Sequence, residues 1–223
     1  MDRLLHYYFN LDYMAKSLPA LLGGLAVTVE IAAWTILGGL TLGLSLALLR
    51  ALRIAPLSVV IVCFVDMFRA IPPLVVIFLF YFALPYAGVA LDPFWCATLT
   101  LILNLAAVSE EIFWAGIVSV HRGQWEAARS TGMPFGRTLL WVIMPQAIRL
   151  VIPPLTNKTI SITKMTALAS VVAVPELLNQ ASTEQGIYAN PTPLMLAALM
   201  FLALFLPLVL ASRWVERRFG WER

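Results

Sequence analysis

The sequence is short of charge. Only 12% of its 223 residues are Asp, Glu, Lys or Arg, about half the share found in ordinary soluble domains, and too few to solvate a folded surface of this size. Cysteine is scarce as well. Cys63 and Cys96 each stand alone in an apolar run, without the spacing of a disulfide framework or a metal site. With only two histidines besides, no metal or bound cofactor is expected. No glycine-rich loop leads into a Lys-Ser or Lys-Thr pair, the backbone cradle that holds ATP phosphates. The bases do not interleave with aromatics as a nucleic-acid surface requires, although the pI is about 9.1. No internal repeat or low-complexity stretch is present.

What remains is apolar: 61% of the residues, with a mean hydropathy of +0.88. That composition describes an all-α integral membrane protein of one domain, with room for about five spans of roughly 20 residues each. Residues 1–20 are mixed and aromatic-rich, as expected of an interfacial segment rather than a cleaved leader, with Tyr7, Tyr8, Phe9 and Tyr13 suited to the headgroup level. The five-helix transmembrane domain is expected over 21–212, with a tail at 213–223. The first span runs from Leu21 to Leu49, and its Gly39-x-x-x-Gly43 reads as close packing against another helix of the same chain. The second, Pro56 to Leu84, is kinked at Ile71-Pro72-Pro73, because tandem prolines remove helical hydrogen bonds. Ahead of that kink, Asp66 and Arg69 share a helical face and are expected to pair. The third span covers Phe94 to Val120, the fourth Leu150 to Val174 and the fifth Leu194 to Ser212.

Ten of the 15 Lys and Arg residues fall in 50–55, 121–149 and 213–223, and none in 85–93 or 175–193. Basic residues stay on the cytoplasmic side, which predicts an N-terminus outside and a C-terminus in the cytoplasm. Arg3 and Lys16 run mildly against that tally.

The least apolar stretch is the loop at 121–149. Gln124 to Ser130 has the composition of a short helix. Gly132, then Pro134, is a stop signal, since glycine takes the left-handed C′ conformation and proline blocks continuation. Pro134 then suits the first turn of a second helix running through Thr138 and Trp141 towards Pro145. A helix-turn-helix lying along the cytoplasmic membrane face is expected.

This loop resembles the EAA signature of ABC importer permeases, carried here by Glu126, Ala127, Ala128, Gly132, Ile143 and Pro145. Further words resemble the polar amino acid branch of that family: F-R-A-I-P at 68–72, L-N at 103–104, E-I at 111–112, P-Q-A-I-R at 145–149 and V-P-E-L-L at 174–178. The likeness spans about residues 18–212. It implies a five-transmembrane-helix type I ABC importer permease core that pairs with a second permease subunit, identical or paralogous. The implied partners are an ABC ATPase dimer and a periplasmic or surface substrate-binding protein, in the lipid bilayer of a bacterial inner membrane. It implies that Glu126, Ala127, Ala128, Gly132 and Pro145 couple to the ATPase, which uses the ATP, so that this chain is no enzyme and binds neither cofactor nor nucleic acid. Polar amino acids or derivatives such as opines are the implied cargo.

Ionisable groups within a membrane are costly and stand as functional candidates. Glu110 and Glu111 point in different directions on one helix; Glu111, before Ile112, matches the branch and is the primary substrate-path candidate. Glu110, Asn104, Lys164 and Thr166 are the others, against a structural reading in which the two glutamates pair with bases such as Lys164. The chain departs from the branch at Val108, Glu110, Trp114 and Met165-Thr166-Ala167. A different class, an ion-coupled secondary transporter with Glu110, Glu111 and Lys164 as a relay, competes with the importer reading, though such proteins are often built from internal repeats.

Overall fold

The computed structural model describes residues 7–219. Residues 1–6 of the N-terminal segment and 220–223 of the tail lie outside the described residues. Among the described residues every regular element is helical. In chain order these are α1 (Leu11–Ala51), α2 (Ala55–Ala70), α3 (Pro73–Ala87), α4 (Pro93–Ser119), α5 (Arg122–Ser130), α6 (Phe135–Val172), α7 (Leu177–Tyr188) and α8 (Thr192–Phe219). Four of them, α1, α4, α6 and α8, are long and apolar enough to cross a membrane. The bent pair α2–α3 makes a fifth span if counted as one.

α1 has 41 residues, a rod of about 62 Å, roughly twice the hydrocarbon thickness. The sequence pattern separates residues 1–20 from a span starting at Leu21, but the helix is continuous from Leu11. Asn10 starts it, its side chain accepting from the N–H groups of Asp12 and Tyr13. Exposed Glu30 lies about 30 Å from Arg50 along the axis. The part of α1 before Glu30 carries α7, through a small core of Leu21, Leu177, Ala181 and Ala197.

The 175–193 segment was expected to be a loop, and α7 corrects that. Buried Glu176 caps α7, accepting from the N–H groups of Leu178 and Asn179 at 2.9 and 2.7 Å. The N–H of Leu177 donates to the buried hydroxyl of Thr28 on α1. Burial pushes the Glu176 carboxyl above its ordinary range, opposed by those N–H donors and by Thr28.

α1 and α4 form the central seam. Gly39 packs on Leu105, and Gly43 on Ser109 and the Ala106 carbonyl. The Ser109 hydroxyl donates to the carbonyls of Gly39 at 3.2 Å and Leu105 at 2.6 Å. The glycine spacing thus serves packing within the chain, as expected. Around the seam, Ile31, Ile77, Leu101, Leu105 and Ile162 fill the mid-depth core. Ala47, Phe113, Ile117, Ile143 and Val151 fill the core at the Arg50 end.

Prolines shape the other helices. α2 and α3 meet at 101° across Ile71-Pro72. In α3 and α6, π-helical turns (Leu79–Ala83 and Thr138–Ile143) come two residues before Pro85 and Pro145. There the N–H of Leu84 donates to Leu79 and that of Met144 to Leu139, a five-residue step. The wider turn accommodates the missing proline donor that an ordinary helix would need at Tyr81 and Trp141. The second loop helix, expected to stop near Pro145, therefore runs through it and merges with the fourth span as α6.

Gly43→Ala would drive its new methyl into the Ser109 hydroxyl and the Ala106 carbonyl, with no flexible side chain free to yield. It should cost about 1–3 kcal/mol, seen as a lower thermal midpoint of the solubilised protein; Gly23→Ala, where nothing lies within 4 Å, should hold or raise that midpoint, since alanine is the better helix former.

Candidate functional site

α5 and the start of α6 form one rigid hairpin. His121 caps α5, its Nδ1 accepting from the N–H of Gly123. Gly132 adopts φ +85° in open space and its N–H donates to Arg129, the left-handed stop expected from sequence. Pro134 sits one residue before the second helix rather than inside its first turn. Trp125 stacks on Phe135 across the turn, with ring centroids 5.6 Å apart and 23° between planes. Gln146 of α6 donates to Gln124 of α5 at 3.3 Å and to its own helix at Val142. These ties join α5 to the 38-residue α6.

Glu126, Ala127 and Ala128 do not share a face, because successive helical residues turn by about 100°. Glu126 is exposed and accepts from Arg122 at 2.8 Å. Ala127 is exposed, whereas Ala128 is buried. Thr131 and Ser130 return their hydroxyls to the carbonyls of Ala128 and Glu126, closing the end of α5. Pro145 is exposed on α6, beyond the π turn.

Two ion pairs join charged groups of different spans. Glu110 is fully buried and pairs with Arg50 of α1 at 3.2 Å; that guanidinium also lies 4.6 Å over the Trp114 ring. Glu111, one position on, turns towards α2 and pairs with Arg69 at 2.7 Å, both side chains about half exposed. One sequence expectation is corrected here: Arg69 pairs with Glu111 rather than Asp66, because α4 packs along the same end of α2. The structural reading, in which both glutamates pair with bases, is the arrangement found, with arginines rather than Lys164 as the bases.

Asn104 donates its side-chain amide to the Phe68 carbonyl at 3.0 Å. In an unbroken helix that carbonyl would accept from residue 72, which is Pro72, so Asn104 supplies the missing donor. Beside this break is a cavity of 340 Å³ whose wall includes Arg69, Asn104, Val108, Lys158 and Met165. Lys164 lies elsewhere, exposed, 6.0 Å over the Phe205 ring of α8 and near Asn157 and Ser212. Thr166 is buried, and its hydroxyl has no hydrogen-bond partner among the described residues.

Asn104 and Lys158 line this cavity with Arg69, and Arg69 links it to Glu111, which is outside the wall; Lys164 lies apart, against α8. Sequence reasoning missed Arg69 and Lys158 as members of this group. Their signal was position: Arg69 directly precedes the Pro-Pro break, and Lys158 lies within a span.

The described residues thus form a polytopic helical protein of the membrane, with a basic hairpin at one end. Residues 39–221 match the family described as binding-protein-dependent transport system inner membrane component, and the chain belongs to that family. It is 37% identical over 210 residues to the probable glutamine ABC transporter permease protein GlnP of Bacillus subtilis (strain 168), covering 92% of this chain and 96% of that one. The arginine transport system permease protein ArtQ of the same organism is 33% identical over 94% of this chain and 97% of its own. Among solved structures, that of an amino acid ABC transporter with histidines superposes with a TM-score of 0.83, at 32% identity over 92% of this chain and 96% of that chain. The chain is a multi-pass membrane permease of the ABC importer class.

Breaking one half of the buried pair strands the other charge. Glu110→Ala should destabilise the solubilised protein by about 3 kcal/mol or more, whereas the paired replacement Arg50→Met with Glu110→Leu should recover most of that loss. Thermal unfolding of the three proteins checks it; equal melting of Glu110→Ala and wild type would show that the pair is not closed.

Proposed function

We propose that this chain is the translocation subunit of an ATP-driven importer of polar amino acids or their derivatives in a bacterial inner membrane, with its N-terminus outside and C-terminus in the cytoplasm. The carrying observation is the α5–α6 hairpin, a stiff element braced by Trp125–Phe135 and joined directly to a span. The distribution of arginines supports its cytoplasmic placement. The named cargoes of relatives, glutamine, arginine, cystine and octopine, support the substrate class.

ATP binding and hydrolysis belong to a separate ATPase dimer, and delivery to a substrate-binding protein; a second permease subunit, identical or paralogous, completes the pathway. Exposed Ala127, outside the cavity wall, centres the docking face of α5, with Glu126 at its edge. Ala128, buried, fits α5 closely against α6, and Gly132 sets the angle between the two. Closure of the ATPases moves this hairpin and tilts α6, alternating access by rigid-body motion. Pro145 and the π turn before it carry that tilt into the membrane without leaving the backbone unsatisfied.

An α-amino acid is a zwitterion. The half-exposed Glu111–Arg69 pair offers the complementary charges, and its arginine lines a cavity that also holds Asn104 and Lys158. The amino acid ammonium would meet Glu111 and its carboxylate Arg69 or Lys158, the pair opening as the ligand enters. This reading favours Glu111 over Glu110, which Arg50 and Trp114 enclose. It also sets aside Lys164, which lies against α8, and Thr166, which is buried. An ion relay through Glu110 and Glu111 loses its basis, since each is held by its own arginine.

Gly132→Pro cannot adopt a positive φ, and Glu126→Lys reverses the docking charge. In the assembled transporter each should lower coupled uptake about tenfold while membrane insertion stays normal; undiminished ATP-driven uptake in both would reject the lever. Glu111→Gln should raise the half-saturating cargo concentration about tenfold, the loss of one charged hydrogen bond. The measurement is uptake into vesicles fed by the binding protein, and unchanged kinetics would remove Glu111 from the path.

A further inference from the structure

Behind α5 lies a cavity of 540 Å³. Arg122, Trp125, Glu126 and Arg129, one face of that helix, form one wall, and Arg53 beyond α1 forms another. Glu126 neutralises Arg122, but Arg53 and Arg129 have no ion pair among the described residues. The walls therefore hold three guanidinium groups against one carboxylate. Arg53 is held in the left-handed region at φ +59°, a conformation that costs a residue with a Cβ about 1–2 kcal/mol.

A second chamber of 650 Å³ adjoins the first, and the two share Arg53, Trp114 and Val118. Its wall is largely apolar, with Val59, Val62 and Cys63 of α2 facing Val118 of α4. A cationic chamber opening sideways into an apolar groove has the shape of an amphiphile. A soluble anion would fill only the first chamber, and an apolar helix only the second. One molecule with a phosphate and an acyl chain fills both.

We propose that these joined chambers bind an anionic phospholipid. The headgroup phosphate sits among Arg53, Arg122 and Arg129, whose planar donors match phosphate oxygens. An acyl chain lies along Val59, Val62 and Val118. Trp114, shared by both chambers, stands where the polar part meets the apolar part, the usual level of tryptophan at a membrane boundary. The lipid bridges α5 to the ends of α1 and α4, so bilayer composition acts on the same hairpin that carries the ATPase stroke. The site is independent of which cargo the transporter carries.

Cys63 reports on the groove, since it is exposed on that wall and Cys96 is buried. The assembled transporter is placed in phosphatidylcholine nanodiscs with or without added phosphatidylglycerol, and Cys63 is alkylated with a membrane-permeant maleimide. Phosphatidylglycerol should slow the reaction in wild type, and native mass spectrometry should find it retained in preference to phosphatidylcholine. Arg53→Gln and Arg129→Gln should each weaken that retention about fivefold. Val62→Trp, which fills the groove and keeps every arginine, should weaken it too.

Inorganic phosphate at constant ionic strength should not displace the lipid; full displacement, with Val62→Trp behaving as wild type, would mean a soluble anion and overturn the proposal. Equal retention of the two lipids would overturn it as well. So would a Cys63 that is unreactive in both lipids, the sign of a protein surface lying over the groove.

Discussion

The contact on which the structure depends is the seam between α1 and α4. Gly39 and Gly43 bring the two backbones close enough for the Ser109 hydroxyl to reach across to the Gly39 carbonyl. That register fixes the directions of the two glutamates. Glu110 comes next in the chain, and the Arg50 side chain, pointing back along α1 as helical side chains do, meets it with Trp114 beneath. Glu111 is thereby turned to the opposite side, towards α2 and its Pro-Pro break. One helix contact thus separates a closed, buried ion pair from an open, half-exposed one.

Two kinds of stiffness meet in this permease. The α5–α6 hairpin is braced at its turn by aromatic stacking and continues as a single rod into the lipid region. The α2–α3 corner is the reverse, a bend whose freed carbonyl at Phe68 is taken up by Asn104 of α4. The rod runs on from the hairpin without a break, and the corner brings Arg69 and Asn104 to one cavity. The two are joined through α4, which contacts both α2 and α6.

Much of the fold was legible in the sequence, and the reasons differ by element. The third span at 94–120 was legible because Asp92 and Pro93 mark its start and apolar residues fill it. The α5 stop was legible because Gly132 and Pro134 leave few alternatives to a left-handed turn. α7 was not, since its residues lack a strong apolar stripe and its stability comes from Glu176 and from Thr28, 149 residues away. The continuity of α6 was also hidden, because proline alone reads as a boundary while the compensating π turn leaves no mark in composition. At the candidate site, Glu111 and Asn104 were found as polar residues in an apolar span. Arg50 and Arg69 were read as span ends or local partners, because only the packing of α4 shows which carboxylates they reach.

The π turn at Thr138–Ile143 has a bearing on how the length of this segment can change over time. A π turn is an ordinary helix holding one residue too many. Deleting a residue there would restore regular α geometry with little rotation of the two flanks, because the wide turn has already absorbed the extra residue. Trp125 and Ala128 would keep their seats, but Pro145 would then face the carbonyl four residues before it in a regular helix, where its missing N–H has no compensation. The same deletion in regular helix would rotate everything before it by about 100° relative to everything after. A change of length at 138–143 is therefore felt at Pro145 alone, whereas elsewhere in α6 it would be felt by the whole hairpin.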